Sequence, residues 1–397
     1  MSARRAAIVL GAGIAGAAAA YHLARRSFGP VLLYDPRTPA AGATGRAAGI
    51  VTESLWDPWD VAVVRASKVE YARLSAGHDP PLYRENGFVR WTADPVAAEA
   101  LAAAVERWRS WGVAARPLPL SELATRLPWV ATEGLRAAVW DPHDAVVAPS
   151  ALAEAYVAAA RALGAEVRLG TPFASLRFAN GAWELASGGS TERASVAVVA
   201  AGAWSKELLA AVGAPLPLAP YRTQAATLRP PGAVPPVFPS FHDLDLDVYV
   251  RPEEAGRALA GDGTRLVEVA PEAVPSGGDE AFVAHLAESL SARCPGWASA
   301  ELLRAWSGVC TSTPDRRPLV GRVPGAEGLY CLVGFNGFGV MRAGGAADRL
   351  AAAIVDGTDG PAGAALAPVR PDRFGPKPPP FAPRPGFTLE GGPNPRF

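Results

Sequence analysis

Gly11-Ala12-Gly13-Ile14-Ala15-Gly16 and Asp35 are the residues of this chain whose types and spacing point first to chemistry. Three glycines so spaced suit a diphosphate. Gly11 permits a tight turn, Gly13 lets the backbone approach the phosphates, and Gly16 lets a helix pack closely on a strand. Asp35 falls 19 residues after Gly16, where a carboxylate can accept a hydrogen bond from a ribose hydroxyl. Together they predict a dinucleotide site, with NAD, NADP and FAD all served by these residues alone. A chance Gly/Ala-rich helix would leave Asp35 unexplained.

Such a site needs a strand, a loop, a helix and a second strand in that order. Ala6 to Leu10 is a short apolar run suited to a buried parallel strand. Ala17 to Arg26 favours helix and ends in basic residues, and Pro30 to Asp35 reads as the second strand. The helix N-terminus would offer its N–H groups to the phosphates. Ala6 to Ala24 after Arg4-Arg5 also has the outline of a secretory leader. The glycines that interrupt it, and the second apolar run closing on Asp35, argue for a folded core instead.

Bulk properties exclude several classes. The chain has 397 residues, enough for two domains, with 49% hydrophobic and 19% charged residues. Thirty-eight basic residues balance 38 acidic ones, so no basic field argues for nucleic acid or an anionic membrane. Cys294, Cys310 and Cys331 form no CxxC pair, so neither a disulfide framework nor a metal site is expected, and a reducing cytoplasm fits.

Further along, Ala41 to Ile50 is a second loop of small residues. Ser150 to Leu163 reads as a helix capped by Ser150, Glu166 to Leu169 as a strand, and Phe173 to Ser187 as a hairpin turned at Asn180-Gly181. Ser195 to Ala201 is a buried strand closed by Gly202-Ala203-Trp204-Ser205, and residues 214–272 hold several short β-like runs. Asp279 to Ala292 reads as a helix and Leu329 to Val333 as a strand. The glycine-rich Gly334-Phe335-Asn336-Gly337-Phe338-Gly339 turn then opens a helix running to Ile354.

The chain resembles the D-amino-acid oxidase family, which includes glycine oxidase, sarcosine oxidases and amino-acid dehydrogenases. The resemblance covers about residues 5–374. It rests on the amino-terminal fingerprint, Ala43-Thr44-Gly45-Arg46-Ala47-Ala48, Ala200 to Ser205, Tyr249 to Pro252, Thr313 to Gly321 and Gly334 to Gly339. It implies an α/β fold with a Rossmann-like FAD-binding domain and an antiparallel-sheet substrate domain. The FAD domain would comprise 1–75, 143–212 and 305–366, and the covering domain 76–142 and 213–304. A Pro-rich tail, 367–397, would follow.

The resemblance also implies which residues hold non-covalent FAD. Gly11, Ala12, Gly13, Ile14, Gly16 and Asp35 would serve the ADP half, Phe173 would meet the adenine side, and Arg37, Ala201, Gly202 and Trp204 would also hold the cofactor. Thr44, Arg46, Ala47, Ala48, Gly49 and Ile50 would line the flavin. Gly308, Gly334, Asn336, Gly337, Phe338, Gly339, Val340 and Met341 would meet the flavin. The implied chemistry is oxidation of a C–N bond in an amino acid or secondary amine, with hydride passing to flavin N5 and the imine hydrolysing in water. The electron acceptor would be O2, a quinone or a partner protein.

Four positions depart from the family pattern. Cys310 stands where glycine oxidase has its carboxylate-binding Arg, and is expected to be a buried small hydrophobe. Gly308 stands at the flavin-tethering Cys of monomeric sarcosine oxidase. Met341, followed by Arg342, replaces a carboxylate-holding Lys. Leu259 lies near the oxygen-activating Lys, and no lysine occurs between Lys206 and Lys377, which favours a dehydrogenase over an oxidase. Arg222 and Tyr249 match substrate-facing residues of the family and are the expected catalytic pair. Arg251, Arg316, Arg317 and Arg342 stand in reserve, and Trp56 and Trp59 serve either closure over substrate or the core. Gly375 to Phe381 is expected to be polyproline or coil. The alternative is an arm across a neighbouring subunit, in a homo-oligomer or hetero-complex, anchored by Phe381, Phe387 and Phe397. Rival functions are a flavin monooxygenase, a 2-hydroxy-acid dehydrogenase, and a flavin-holding subunit or assembly protein.

Overall fold

A computed structural model describes residues 6–232, 235, 237–262 and 268–381. Ala7–Leu10 lies inside a six-stranded sheet, parallel to Val31–Asp35 on one side and to Val196–Val199 on the other. Glu166–Leu169 extends the sheet beyond Val31–Asp35, and Leu329–Val333 extends it beyond Val196–Val199. Leu319–Arg322 closes one edge antiparallel.

Strand alternation divides the core in two. Ala7, Val9, Val31 and Leu33 face helices, among them Ile14–Arg25, Pro149–Ala162 and Gly339–Asp356. Ile8, Leu10, Leu32 and Tyr34 face a three-stranded meander, Phe173–Ala179, Ala182–Ser187 and Ser190–Ala194. The first hairpin turns at Asn180-Gly181, where both φ angles are positive, 52° and 73°, as a two-residue turn between twisted strands requires. The apolar stretch from Ala6 is therefore sheet core and helix. Among the described residues no helix is long and apolar enough to cross a membrane.

A second, eight-stranded sheet is antiparallel except for one pair. Its longest strands, Ala219–Arg229 and Glu301–Ser312, pair along most of their length. Ala258–Asp262, Val248–Pro252, Ser240–Asp243, Phe88–Thr92, Ala137–Asp141 and Arg116–Pro117 follow in order. The domain boundary expected at residue 305 falls inside the strand Glu301–Ser312. Asp279 caps the helix Glu280–Arg293, accepting from the Phe282 N–H. Ser150 does not cap its helix. That helix starts at Pro149, with Ala148 at the cap position, because a fixed proline φ suits the first helical residue. From Lys377 to Phe381 the chain is neither helix nor strand, and Phe387 and Phe397 lie outside the described residues.

His22 ties three helices together. Its Nε2 lies 3.0 Å from Glu70 of the helix Pro58–Ser75, and its Nδ1 lies 3.0 Å from Asp348 of Gly339–Asp356. Burial opposes the imidazolium, but Asp348 and Glu70 more than offset it, and the pKa rises above 6.5. The charged clamp therefore stabilises the fold below the ordinary histidine range and is lost as pH rises through the higher folded value. The melting temperature of the parent chain is expected to fall as pH rises above the ordinary histidine range and through the higher folded value. At low pH His22→Gln should melt lower, having lost about 3 kcal/mol of stability, and should show a flatter dependence on pH; a variant with the parent's slope would contradict the clamp.

Candidate active site

Between the two sheets runs one long cavity of about 660 Å³. Gly11, Gly13 and Asp35 line it, as do Gly337, Tyr249 and Trp306 of the far segments. Its glycine turn obeys strict geometry. Gly11 has φ +107°, and a Cβ there would stand 2.5 Å from the Ala200 carbonyl oxygen. A Cβ on Gly16 would stand 1.8 Å from the Gly11 carbonyl oxygen, so only hydrogen fits where helix meets strand. Gly13 differs: a Cβ there would meet one atom, Thr44 Oγ1, at 3.2 Å. Its open side faces the cavity.

Asp35 is held by backbone. Its Oδ2 accepts from the Ala12 N–H at 2.7 Å, and its Oδ1 accepts from the Arg37 N–H at 2.8 Å. Each carboxylate oxygen keeps further lone-pair capacity for a ribose hydroxyl. Thr44 Oγ1 accepts from the Ile14 N–H at 3.1 Å, fastening the second loop to the first helical turn. The Arg37 guanidinium stacks 4.1 Å over the Trp204 ring, and both line the cavity. An open glycine, a braced carboxylate and a helix N-terminus around one elongated cavity fit a dinucleotide of FAD's length.

Most cofactor residues expected from the sequence meet on this cavity: Gly11, Gly13, Ile14, Asp35, Arg37, Thr44, Arg46 to Ile50, Phe173, Ala201, Gly202, Trp204, Gly308, Gly334 and Asn336 to Met341. Ala12 and Gly16 act one step behind the wall, through the Asp35 bond and the helix–strand contact. Arg222 is a correction. Its neighbours Tyr221 and Thr223 line the cavity, and strand alternation turns Arg222 to the other side, where it pairs with Asp279. Cys310 is a second correction: it stands on the cavity wall and not in the core. Burial raises its thiol to about 11, with the Tyr221 hydrogen bond pulling the other way.

Of the reserve arginines, Arg251 donates to the Ala48 carbonyl, Arg317 pairs with Asp57 at 2.9 Å, and Arg342 pairs with Asp60 at 3.0 Å. Arg316 is buried. All four lie off the cavity wall. Trp59 donates to the Ala365 carbonyl at 3.0 Å and Trp56 meets Phe338 edge-on at 4.8 Å, so both belong to the packing around the cofactor helix.

The covering sheet brings in residues that sequence reasoning missed. Backbone register sets Arg90 opposite His242, His242 opposite Tyr249, and Tyr249 opposite Gly261. This single cross-strand row faces the cavity through Arg90, His242 and Tyr249. The Tyr249 ring lies across Gly261, where a Cβ would stand 2.1 Å from the hydroxyl oxygen. Burial, followed by Asp262 and Cys310, pushes the Tyr249 hydroxyl well above its usual range, so it keeps its proton. Burial lowers Arg90 to about 10, with Asp144 and Asp141 opposing, and it stays cationic at neutral pH. Arg90 donates to Thr52 Oγ1 at 3.1 Å and lies 4.4 Å over Phe88.

A family model described as FAD dependent oxidoreductase matches residues 6–353. The chain belongs to this family. Its cofactor is FAD. It is 26% identical over 380 residues to human mitochondrial dimethylglycine dehydrogenase, covering 89% of this chain and 43% of that protein. It thus spans under half the length of the dimethylglycine dehydrogenases it matches. Glycine oxidase of Geobacillus kaustophilus is 27% identical, over 84% of this chain and 88% of that enzyme. The crystal structure of that glycine oxidase superposes with a TM-score of 0.80 at 25% identity, covering 93% of this chain and 98% of the other. L-proline dehydrogenase from P. horikoshii shares the fold, with a TM-score of 0.82 at 21% identity over 90% of this chain and 94% of that one.

The open side of Gly13 gives a direct check on the oxidoreductase's cofactor site. Gly13→Ala, whose Cβ meets only the Thr44 hydroxyl, should keep the fold yet bind FAD about 100-fold more weakly, a loss of roughly 3 kcal/mol. The ratio of absorbance at the flavin band to that at the protein band measures this. A fully yellow variant would contradict the placement of the diphosphate.

Proposed function

We propose that this oxidoreductase oxidises the C–N bond of a small amino acid or N-alkyl amino acid that carries a carboxylate. The observation that carries the reading is the row Arg90, His242, Tyr249 on the covering sheet, which lines the same cavity as Gly11. When bound, FAD supplies a hydride acceptor. The chain's own work is to bind and orient. Arg90 offers a planar, permanently charged donor fork suited to a carboxylate. Tyr249 offers a hydroxyl that keeps its proton and donates. Dimethylglycine and glycine, in the names of two relatives, each carry an amine and a carboxylate on one carbon.

Arg90 takes over the role expected of Arg222, whose ion pair with Asp279 lies on the other face of its strand. In this reading the third segment of the cofactor domain begins within Glu301–Ser312, and the covering domain is the eight-stranded sheet with its helices. The finer assignment, a dehydrogenase passing electrons to a quinone or protein, is supported by the lack of lysine between Lys206 and Lys377.

Two measurements test this. Under argon, a panel of small amino and N-methyl amino acids should bleach the flavin, and admitted air should restore its colour slowly. Arg90→Gln should weaken binding of the active amino acid about 100-fold, roughly 3 kcal/mol, while leaving its decarboxylated amine nearly unaffected. Equal losses on both, or no bleaching by any amine, would overturn the reading. Bleaching by NAD(P)H would favour a monooxygenase, bleaching by 2-hydroxy acids alone a hydroxy-acid dehydrogenase, and no response a flavin-holding subunit.

A further inference from the structure

Resting on the amino-acid reading above, we infer that the Tyr221 hydroxyl, turned by Cys310, is the acceptor that receives an N–H of the substrate's amine. Tyr221 and Cys310 stand directly opposite each other on the paired strands Ala219–Arg229 and Glu301–Ser312. Both line the cavity. Tyr221, Thr223 and Ala225 reach its wall in alternation along their strand. Tyr221 is buried there.

The glycine turn closes on the far end of the Tyr221 ring. The Asn336 N–H donates to the Thr311 carbonyl at 2.9 Å, and Ser312 Oγ donates to Asn336 Oδ1 at 2.6 Å. These two bonds hold the turn against the strand that carries Cys310. Gly337, the next residue of the turn, has φ +83°, and a Cβ there would stand 3.2 Å from the Tyr221 hydroxyl oxygen. Gly337 also lines the cavity. The hydroxyl thus lies between the Cys310 thiol and the turn.

The direction of the Tyr221–Cys310 hydrogen bond decides the chemistry. Burial shifts both groups toward keeping their protons. The bond between them lowers the thiol and raises the phenol, as a hydroxyl donating to sulfur does. A thiol is itself only a weak donor. The hydroxyl proton is therefore committed to Sγ, and the oxygen keeps its lone pairs for a donor. A carboxylate is an acceptor only and has no proton to offer it. An ammonium, a primary amine and a secondary amine each carry an N–H that does. Tyr249 is the complement: it keeps its proton and donates, which suits the carboxylate. Cys310 acts through Tyr221 and is a positioning residue. Without the sulfur, the hydroxyl proton is free to turn away and the oxygen is no longer held as an acceptor.

The test compares two ligands on each variant. One is the most active amino acid of the panel, its affinity read from the concentration dependence of anaerobic flavin bleaching. The other is the same molecule without its amine, its affinity read from competition. Tyr221→Phe should bind the amino acid about 20-fold more weakly and the amine-free acid as the parent does. Cys310→Ala should shift the same ratio in the same direction, by about 5-fold. The double variant should be no weaker than Tyr221→Phe alone, because Cys310 then has no hydroxyl to turn. FAD content, melting temperature and the ligand-free flavin spectrum should match the parent throughout. Equal losses on the two ligands, additive losses in the double variant, or no loss in Tyr221→Phe would overturn the assignment. A shifted ligand-free spectrum would give the hydroxyl to the cofactor and overturn it too. If Tyr221→Phe misfolds, Cys310→Ala carries the same two-ligand comparison, and an unchanged ratio overturns the role. A parent chain that no amine bleaches would overturn the functional reading, and this role with it.

Discussion

The structure depends on how closely two backbones can approach at one turn. Gly11 and Gly16 bring the end of the first strand against the first helix, at contacts no side chain would permit. That approach leaves the helix N-terminus facing a cavity. Asp35, arriving on the next strand, accepts the Ala12 N–H and locks the turn. Thr44 then ties the following loop to Ile14. The ADP end of the site is thus built from backbone groups and two short polar side chains, all fixed before any ligand arrives.

The far end is built differently. Side chains on the face of an antiparallel sheet supply its chemistry, and register decides which ones meet. Arg90, His242 and Tyr249 come from three strands and share one row. Helix packing supports the same end from behind. His22 joins the dinucleotide helix to Gly339–Asp356, whose first residues line the cavity. Arg342, in that helix's first turn, forms a buried pair with Asp60 of Pro58–Ser75 and lies over Trp56 and Phe338. Burial raises Asp60 to about 6, with Arg342 opposing, so this contact carries a real desolvation cost.

What could be read from the sequence was local. The strand, glycine turn, helix and acid of the first 35 residues are contiguous, and each rests on backbone geometry that residue type reveals. The same holds for Asn180-Gly181 and for the glycines before Gly339–Asp356. Reading failed where phase or long-range pairing decided. Arg222 lies on an 11-residue strand with no clear alternation, so its facing could not be fixed from type alone. Arg90 and His242 are joined by a parallel pairing between distant segments, and no turn signal connects them. An arginine among the large apolar residues of Phe88–Thr92 was the one available hint.

The central claim is that cofactor and substrate share one cavity, with the carboxylate end of the substrate fixed by Arg90. A crystal structure of the FAD-bound chain soaked with an unreactive aromatic carboxylate tests it most directly. The account predicts FAD lying from Asp35 to Met341, with the carboxylate on the Arg90 guanidinium and the rest of the molecule beside His242 and Tyr249. A carboxylate seated on Arg222 or another cation, or FAD lying elsewhere, would contradict it.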